Sequence, residues 1–215
     1  MRYRPSFTFL AALALALAVA GASAVVLGQN STRPRAKARE SLARVTLPLR
    51  EACRAAGAHF PPPAPRLIVH KAERRLGLYS GGTLIKEYTV GLGPVPIGHK
   101  EQQGDGRTPE GDYYVCTRLE RSRFHRFLGL SYPGIADARR GLRSGLTSRA
   151  DHDRILAAHR KRRQPPWGTR LGGAVGIHGS GGSSDWTAGC VAVEDREVEE
   201  LFTALPLGTP VKIEP

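Results

Sequence analysis

From residue 66 onward, apolar and polar positions alternate over short stretches separated by turn-forming residues. Residues 66–70 (RLIVH) are apolar and β-branched, and residues 75–79 (RLGLY) alternate with period two. That is the period of a half-buried strand, whose successive side chains face opposite sides. Ser80-Gly81-Gly82 separates the second stretch from residues 83–91 (TLIKEYTVG), which predicts a hairpin. Further strands are predicted over 111–117 (GDYYVCT), 128–132 (LGLSY), 174–178 (AVGIH), 190–193 (CVAV) and 211–213. Residues 135–143, 150–160 and 195–205 carry helical spacing, the last with Val198, Leu201 and Phe202 on one face. The expectation is a mainly β domain with peripheral helices over residues 66–215.

Upstream the pattern changes. Residues 36–58 have helical character, with Leu42, Val45, Leu47, Leu49 and Ala52 on an apolar face. Pro48 lies inside that run and is expected to kink or split it. Pro61-Pro62-Pro63 and Pro65 form a stiff linker, so residues 29–65 read as a helical segment plus a Pro-rich connection. Residues 7–27 form an apolar run without charge, behind Arg2 and Arg4 and closed by Ala22-Ser23-Ala24. This is the layout of a cleaved signal peptide, and the run is also long enough to act as an anchor. Residues 1–28 are therefore expected to export the remainder of the chain to the periplasm or cell envelope.

Composition adjusts this reading in three places. The 215 residues suit one compact domain, and Gly 25 with Pro 16 favours a turn-rich body over a helical bundle. Lys and Arg number 32 against 19 Asp and Glu, a net +13. The basic residues are scattered, and no helix-turn-helix, zinc-finger or RNA-binding signature accompanies them, so no nucleic-acid partner is expected. A basic face suits anionic polymers of a cell envelope. The three cysteines are Cys53, Cys116 and Cys190. Outside the cytoplasm thiols tend to pair. Cys53 and Cys116 read either as a disulfide or as two small buried apolar residues, which leaves Cys190 free.

Cys190 has a chemical setting. Gly176-Ile177-His178-Gly179 closes one predicted strand, and Asp185-Trp186-Thr187-Ala188-Gly189-Cys190 opens the next. Adjacent strands bring His178 near Cys190, twelve positions later. A free thiol has a pKa of about 8.5, so a neighbouring imidazole is needed to take its proton. The sulfur can then attack a carbonyl. Backbone N–H groups around Ala188, Gly189 and Cys190 are candidates for holding the oxyanion, because Gly189 lets the chain turn tightly. A lone His and a lone Cys are each more often structural, and the pair alone does not define an enzyme. One Cys with scattered His lacks the spacing of a zinc site, so no metal or cofactor is expected. Gly91-Leu92-Gly93 fails as a nucleotide loop, because Pro94 and Pro96 follow it.

Four segments in order, covering about 150 residues, resemble the YkuD-type L,D-transpeptidase catalytic domain. They are the opening hairpin from residue 66, Gly104-Asp105-Gly106-Arg107-Thr108-Pro109-Glu110-Gly111, Leu130-Ser131-Tyr132-Pro133, and the His-Gly with Thr-x-Gly-Cys pair. The resemblance implies a mixed β-sandwich or barrel and acyl transfer on peptidoglycan stem peptides. It makes Cys190 the nucleophile and His178 the general base, with Gly189, Ala188 and Thr187 positioning the oxyanion. Gly179, Ser180, Asp185, Trp186 and Tyr132 are candidates for substrate contact, with packing the favoured role for Trp186. The family's usual second histidine before Gly-Cys is Ala188 here, and its usual Arg or Asn two residues after the cysteine is Ala192. These resemble a branch with Asp-Trp-Thr-x-Gly-Cys, of which some members hydrolyse rather than cross-link.

Residues 134–173, with Arg139, Arg140, Arg154, Arg160 and Arg162, read either as a lid over the site or as a solvated helical face. Two competitors come from other classes. One is a cell-wall binding module without catalysis. The other is a sortase-like enzyme with His125 as base and an arginine near the cysteine, for which Arg196 is poorly placed on a helix. The sequence leaves the oligomeric state open.

Overall fold

The computed structural model describes residues 45–215. The expected leader, the segment at 29–35 and the first part of the upstream helical run lie outside the described residues. Among the described residues no helix is long and apolar enough to cross a membrane.

The elements in order are α1 (Leu49–Ala55), β1 (Pro65–His70), β2 (Arg75–Ser80), β3 (Thr83–Thr89), β4 (Gly111–Ser122), β5 (His125–Leu130), α2 (Ile135–Arg143), α3 (Arg149–Arg160), β6 (Gly176–His178), β7 (Val191–Ala192), α4 (Asp195–Ala204) and β8 (Pro210–Glu214). The strands form one eight-stranded sheet in the order β3-β2-β1-β8-β4-β5-β6-β7. β1 runs parallel to β8 and β6 parallel to β7, while every other pairing is antiparallel. Just past β3, Gly91 pairs with Ala192 of β7, exchanging N–H···O bonds of 2.9 and 2.8 Å. The sheet therefore curls until its first and last strands meet at one end.

The alternation read from sequence explains why these strands form. Leu67 and Val69 of β1, with Leu76 and Leu78 of β2, are fully buried, while Arg66 and Arg75 face water. Each such Leu or Val contributes about 1.5–3 kcal/mol on burial. Gly81 and Gly82 have φ +54° and +86°, the pair of left-handed residues that a two-residue hairpin turn requires. α4 closes one opening of the curl with Val198, Leu201 and Phe202, as its periodicity predicts.

Four expectations gain detail. Pro48 splits the upstream helical run, because α1 begins directly after it. A proline is tolerated there, where its missing N–H has no helical acceptor. α1 is built into the body: Leu49, Ala52 and Cys53 join the sheet's core, and the Leu49 N–H donates to Glu200 Oε1 at 3.1 Å. β4 and β5 form a far longer hairpin than the apolar alternation predicts. Its outer arm, Arg118 to Ser122, is exposed or half-buried, and backbone pairing to β5 holds it. An arm with nothing to bury has no hydrophobic pattern to read. Finally, Cys53 and Cys116 are free thiols, not a disulfide. Cys53 is a small core group and Cys116 is half-buried on β4, where burial pushes its thiol up to about 12.

α2 and α3 pack as a helical hairpin around a small core of their own, Ala138, Ile155 and Leu171. Of the arginines in this segment, Arg140 is tied to Asp137 and Arg162 to the Gly208 carbonyl. Arg139, Arg154 and Arg160 are exposed.

Candidate active site

β6 is three residues long and fully buried between β5 and β7, with His178 at its end. Nδ1 of His178 lies 2.7 Å from the Gly179 carbonyl. A carbonyl only accepts, so Nδ1 carries the proton and Nε2 keeps a lone pair. Among the described residues nothing hydrogen-bonds Nε2. Phe124 stacks on the ring at 4.7 Å and 24°, and Trp186 meets it edge-on at 5.5 Å. Burial pushes the imidazole below its ordinary pKa, partly offset by the Gly179 carbonyl.

The parallel register pairs Ile177 with Val191 and His178 with Ala192. One step back, Cys190 lies beside Gly176. His178 and Cys190 are thus on the same face of neighbouring strands, one diagonal apart, about 8 Å between Cα atoms for ideal strand spacing. No hydrogen bond joins them among the described residues. The half-buried thiol instead approaches the Ala174 carbonyl at 3.5 Å. Burial pushes it up to about 11, although the Gly176 N–H and the Lys100 charge both pull it down. The resting pair is therefore a neutral thiol and a neutral imidazole.

The loop before Cys190 is held by Thr187. Its buried hydroxyl donates to the Cys190 carbonyl at 2.8 Å and accepts from Gly189 N at 3.2 Å. Its N–H donates to the Leu92 carbonyl at 2.9 Å. The Gly189 N–H is thereby committed, so the oxyanion donors expected from this loop narrow to Ala188 and Cys190. Gly189 contributes room instead: it has φ +123°, and a Cβ there would lie 2.6 Å from the Arg107 carbonyl. Gly91 and Gly93 serve a similar end. A Cβ on either would lie 2.1 Å from a backbone carbonyl, that of Ser184 or of Gly106. This close approach of three chain segments explains the glycines that looked like a nucleotide loop.

The remaining candidates divide. Asp185 accepts from Arg74 at 2.6 Å and from the Leu92 N–H at 2.9 Å. Burial raises its pKa, but these partners outweigh burial and hold it below the usual carboxylate range. Its carboxylate is a clamp joining the β1–β2 turn to the loop before Cys190. Tyr132 is wholly buried, and its hydroxyl donates to the Leu171 carbonyl at 2.9 Å, so it has no surface to present to a substrate. Gly179 has no space for a side chain, since a Cβ would lie 2.2 Å from Asp195 Oδ1. Ser180 is exposed with φ +77°, its N–H held by the same Asp195 oxygen at 2.7 Å. Trp186 is both packed and presented: 39% exposed, it donates to the Gly181 carbonyl and touches the His178 ring. With Arg123, Phe124, Ser180 and Ser184 it lines a groove on the His178 side. His125 of the sortase-like reading pairs with Glu199 on the surface at 2.8 Å.

Phe124, Lys100 and Arg74 are site residues that sequence reasoning missed. Phe124 sits at the tip of the β4–β5 arm, where its carbonyl also receives the Gly179 N–H at 3.0 Å. Among the described residues no cluster of three His, Cys, Asp or Glu is placed to hold a metal ion.

Residues 64–213 match the family model YkuD, described as the L,D-transpeptidase catalytic domain. Among solved structures, the helical cell shape determining protein Pgp2 from Campylobacter jejuni superposes with TM-score 0.49 and 18% identity, over 70% of this chain and 47% of that one. Bd1075 of Bdellovibrio bacteriovorus gives 0.47 and 21%, over 71% and 48%. An L,D-transpeptidase from Xylanimonas cellulosilytica gives 0.42 and 15%, over 79% and 71%. The chain thus spans about half the length of the first two. No curated protein matches it. With the family match running from the start of β1 almost to the end of β8, the chain belongs to the YkuD L,D-transpeptidase catalytic domain family.

Proposed function

We propose that this protein is an exported cysteine acyltransferase acting on peptidoglycan stem peptides. The observation that carries the reading is the placement of Cys190 and His178 on one face of β6 and β7, with Nδ1 committed to Gly179 and Nε2 free. As substrate displaces the thiol from the Ala174 carbonyl, Nε2 takes the S–H proton and the sulfur bonds to the carbonyl carbon of the terminal peptide link. The N–H groups of Ala188 and Cys190 receive the oxyanion. The imidazolium returns its proton to the departing D-Ala amine as the C–N bond breaks, leaving a thioester. Because both groups rest neutral, proton transfer accompanies attack and no thiolate is stored beforehand. An amine acceptor then makes a cross-link. Ala188, exposed beside the thiol where the family pattern has a histidine, favours a second reading in which water takes the acyl group.

Incubation with purified muropeptides and mass analysis of the products tests both. Cross-linked dimers support transfer to an amine, and trimmed stems alone support hydrolysis. Cys190→Ala is expected to abolish either product and any carbapenem adduct seen by intact mass. Full activity in that variant overturns the proposal and leaves a cell-wall binding module.

A further inference from the structure

Behind the catalytic loop lies a charge that the chemistry above does not use. Lys100 is buried, its side chain 3% exposed, yet it is an ammonium with three N–H donors. Asp105 Oδ1 takes one of them at 2.8 Å. The described residues offer it no second acceptor. The ammonium faces Gly189: a Cβ on that glycine would lie 3.4 Å from Nζ. Gly189 is the residue before the nucleophile. Its bare backbone leaves the ammonium room beside the residue that precedes the thiol, and the charge acts on Cys190 from there.

Asp105 is itself held firmly. Its two oxygens accept from the N–H groups of Glu101, Gln102 and Arg107 at 2.7, 3.0 and 3.1 Å. Burial alone raises its pKa, but the Lys100 bond and these N–H groups bring it down to about 2. The loop thus fixes the lysine's position as well as its counter-ion. Isolating the ammonium from water is costly, and Asp105 satisfies only one of its three N–H groups among the described residues.

We infer that Lys100, set by Asp105, is a positioning residue that stabilises negative charge on Cys190 as its proton leaves. This deepens the reading of Cys190 as nucleophile and rests on it. Among the described residues the charge that acts on the thiol is that of Lys100, with Asp105 as its partner in the loop at 98–111, and the titratable His178 lies one diagonal away on β6. The segment at 174–176 offers backbone only.

The test is the rate of iodoacetamide alkylation at Cys190 in the full chain, followed by peptide mass spectrometry so that Cys53 and Cys116 are scored separately. Below the thiol pKa the rate follows the thiolate fraction, so a shift of one unit changes it tenfold. Lys100→Met is expected to slow alkylation at pH 8 about tenfold. Lys100→Arg keeps the charge and is expected to stay within about twofold of the parent. Asp105→Asn removes the counter-charge and is expected to speed alkylation about threefold. The opposite signs separate electrostatics from loop damage, which would move both variants the same way. Should Lys100→Met not fold, Asp105→Asn alone decides, because an unchanged or slower rate overturns the inference. A parent protein whose Cys190 neither alkylates nor takes a carbapenem sinks the acyltransferase reading. A reactive parent with a silent Lys100→Met, or with both charge variants moving the same way, sinks only the role of Lys100.

Discussion

Replacing Gly189 by alanine tests whether this glycine is required by geometry. Its φ of +123° lies where only glycine is comfortable, and forcing another residue there costs about 1–3 kcal/mol. The added methyl also meets the Arg107 carbonyl at 2.6 Å. That atom is backbone and cannot rotate away, so overpacking adds about 1–3 kcal/mol. The sum is about 2–6 kcal/mol, or a melting temperature lower by roughly 4–24 °C for a domain of this size. Gly82→Ala is the control. It has φ +86° with nothing within 4 Å of the new methyl, so only the backbone penalty of about 1–2 kcal/mol applies. Differential scanning calorimetry compares the stabilities, and single-turnover acylation by a carbapenem compares the sites. Gly189→Ala moves Cys190 relative to its donors, and a displacement near 1 Å costs about 100-fold in rate. Gly82→Ala leaves acylation unchanged. Equal melting temperatures for the two variants, or normal acylation in Gly189→Ala, would refute the reasoning.

Other expectations follow from the same geometry. Phe124→Ala exposes the His178 ring to water, so its depressed pKa rises toward the ordinary value. The acid limb of the acylation profile should then move to higher pH, and a limb that stays put rules out a desolvating role for Phe124. Lys71→Met leaves the Gly98 and Thr108 carbonyls and the Glu110 carboxylate without their buried cation, for an expected loss of about 3–5 kcal/mol in urea titrations. Asp105 carries a folded pKa of about 2, below its ordinary value of 3.8. Its stabilisation, about 2 kcal/mol, is therefore complete above pH 5 and is lost as pH falls through 2. Acid unfolding of Asp105→Asn should show a shallower loss over that window, and an identical curve contradicts it.

Local patterning carried much of this molecule. Leu67, Val69, Leu76 and Leu78 alternate because their strands have one dry face, and Val198, Leu201 and Phe202 recur because α4 does. The pairing of His178 with the Cys190 strand was legible for a related reason, since a short apolar strand on each side of a glycine-rich loop has few ways to pack. What escaped depends on closure in three dimensions. Phe124 lies in a charged arm without alternation, and only the curl of the sheet carries it onto His178. Lys100 looks like an ordinary surface lysine until the loop at 98–111 folds under Gly189. The Gly189 N–H reads as an available donor in sequence. Thr187, two residues away, claims it because the loop turns back on itself.

The Gly91–Ala192 bridge also limits how a ligand can be gripped. Many proteins seize an extended peptide by letting it lie along an open strand as one more member of the sheet. β7 has no such vacancy, with β6 along one flank and Gly91 stitched to the other. A ligand that reaches Cys190 therefore meets a following strand already paired on both flanks at Ala192, so that stretch offers no edge for an added strand.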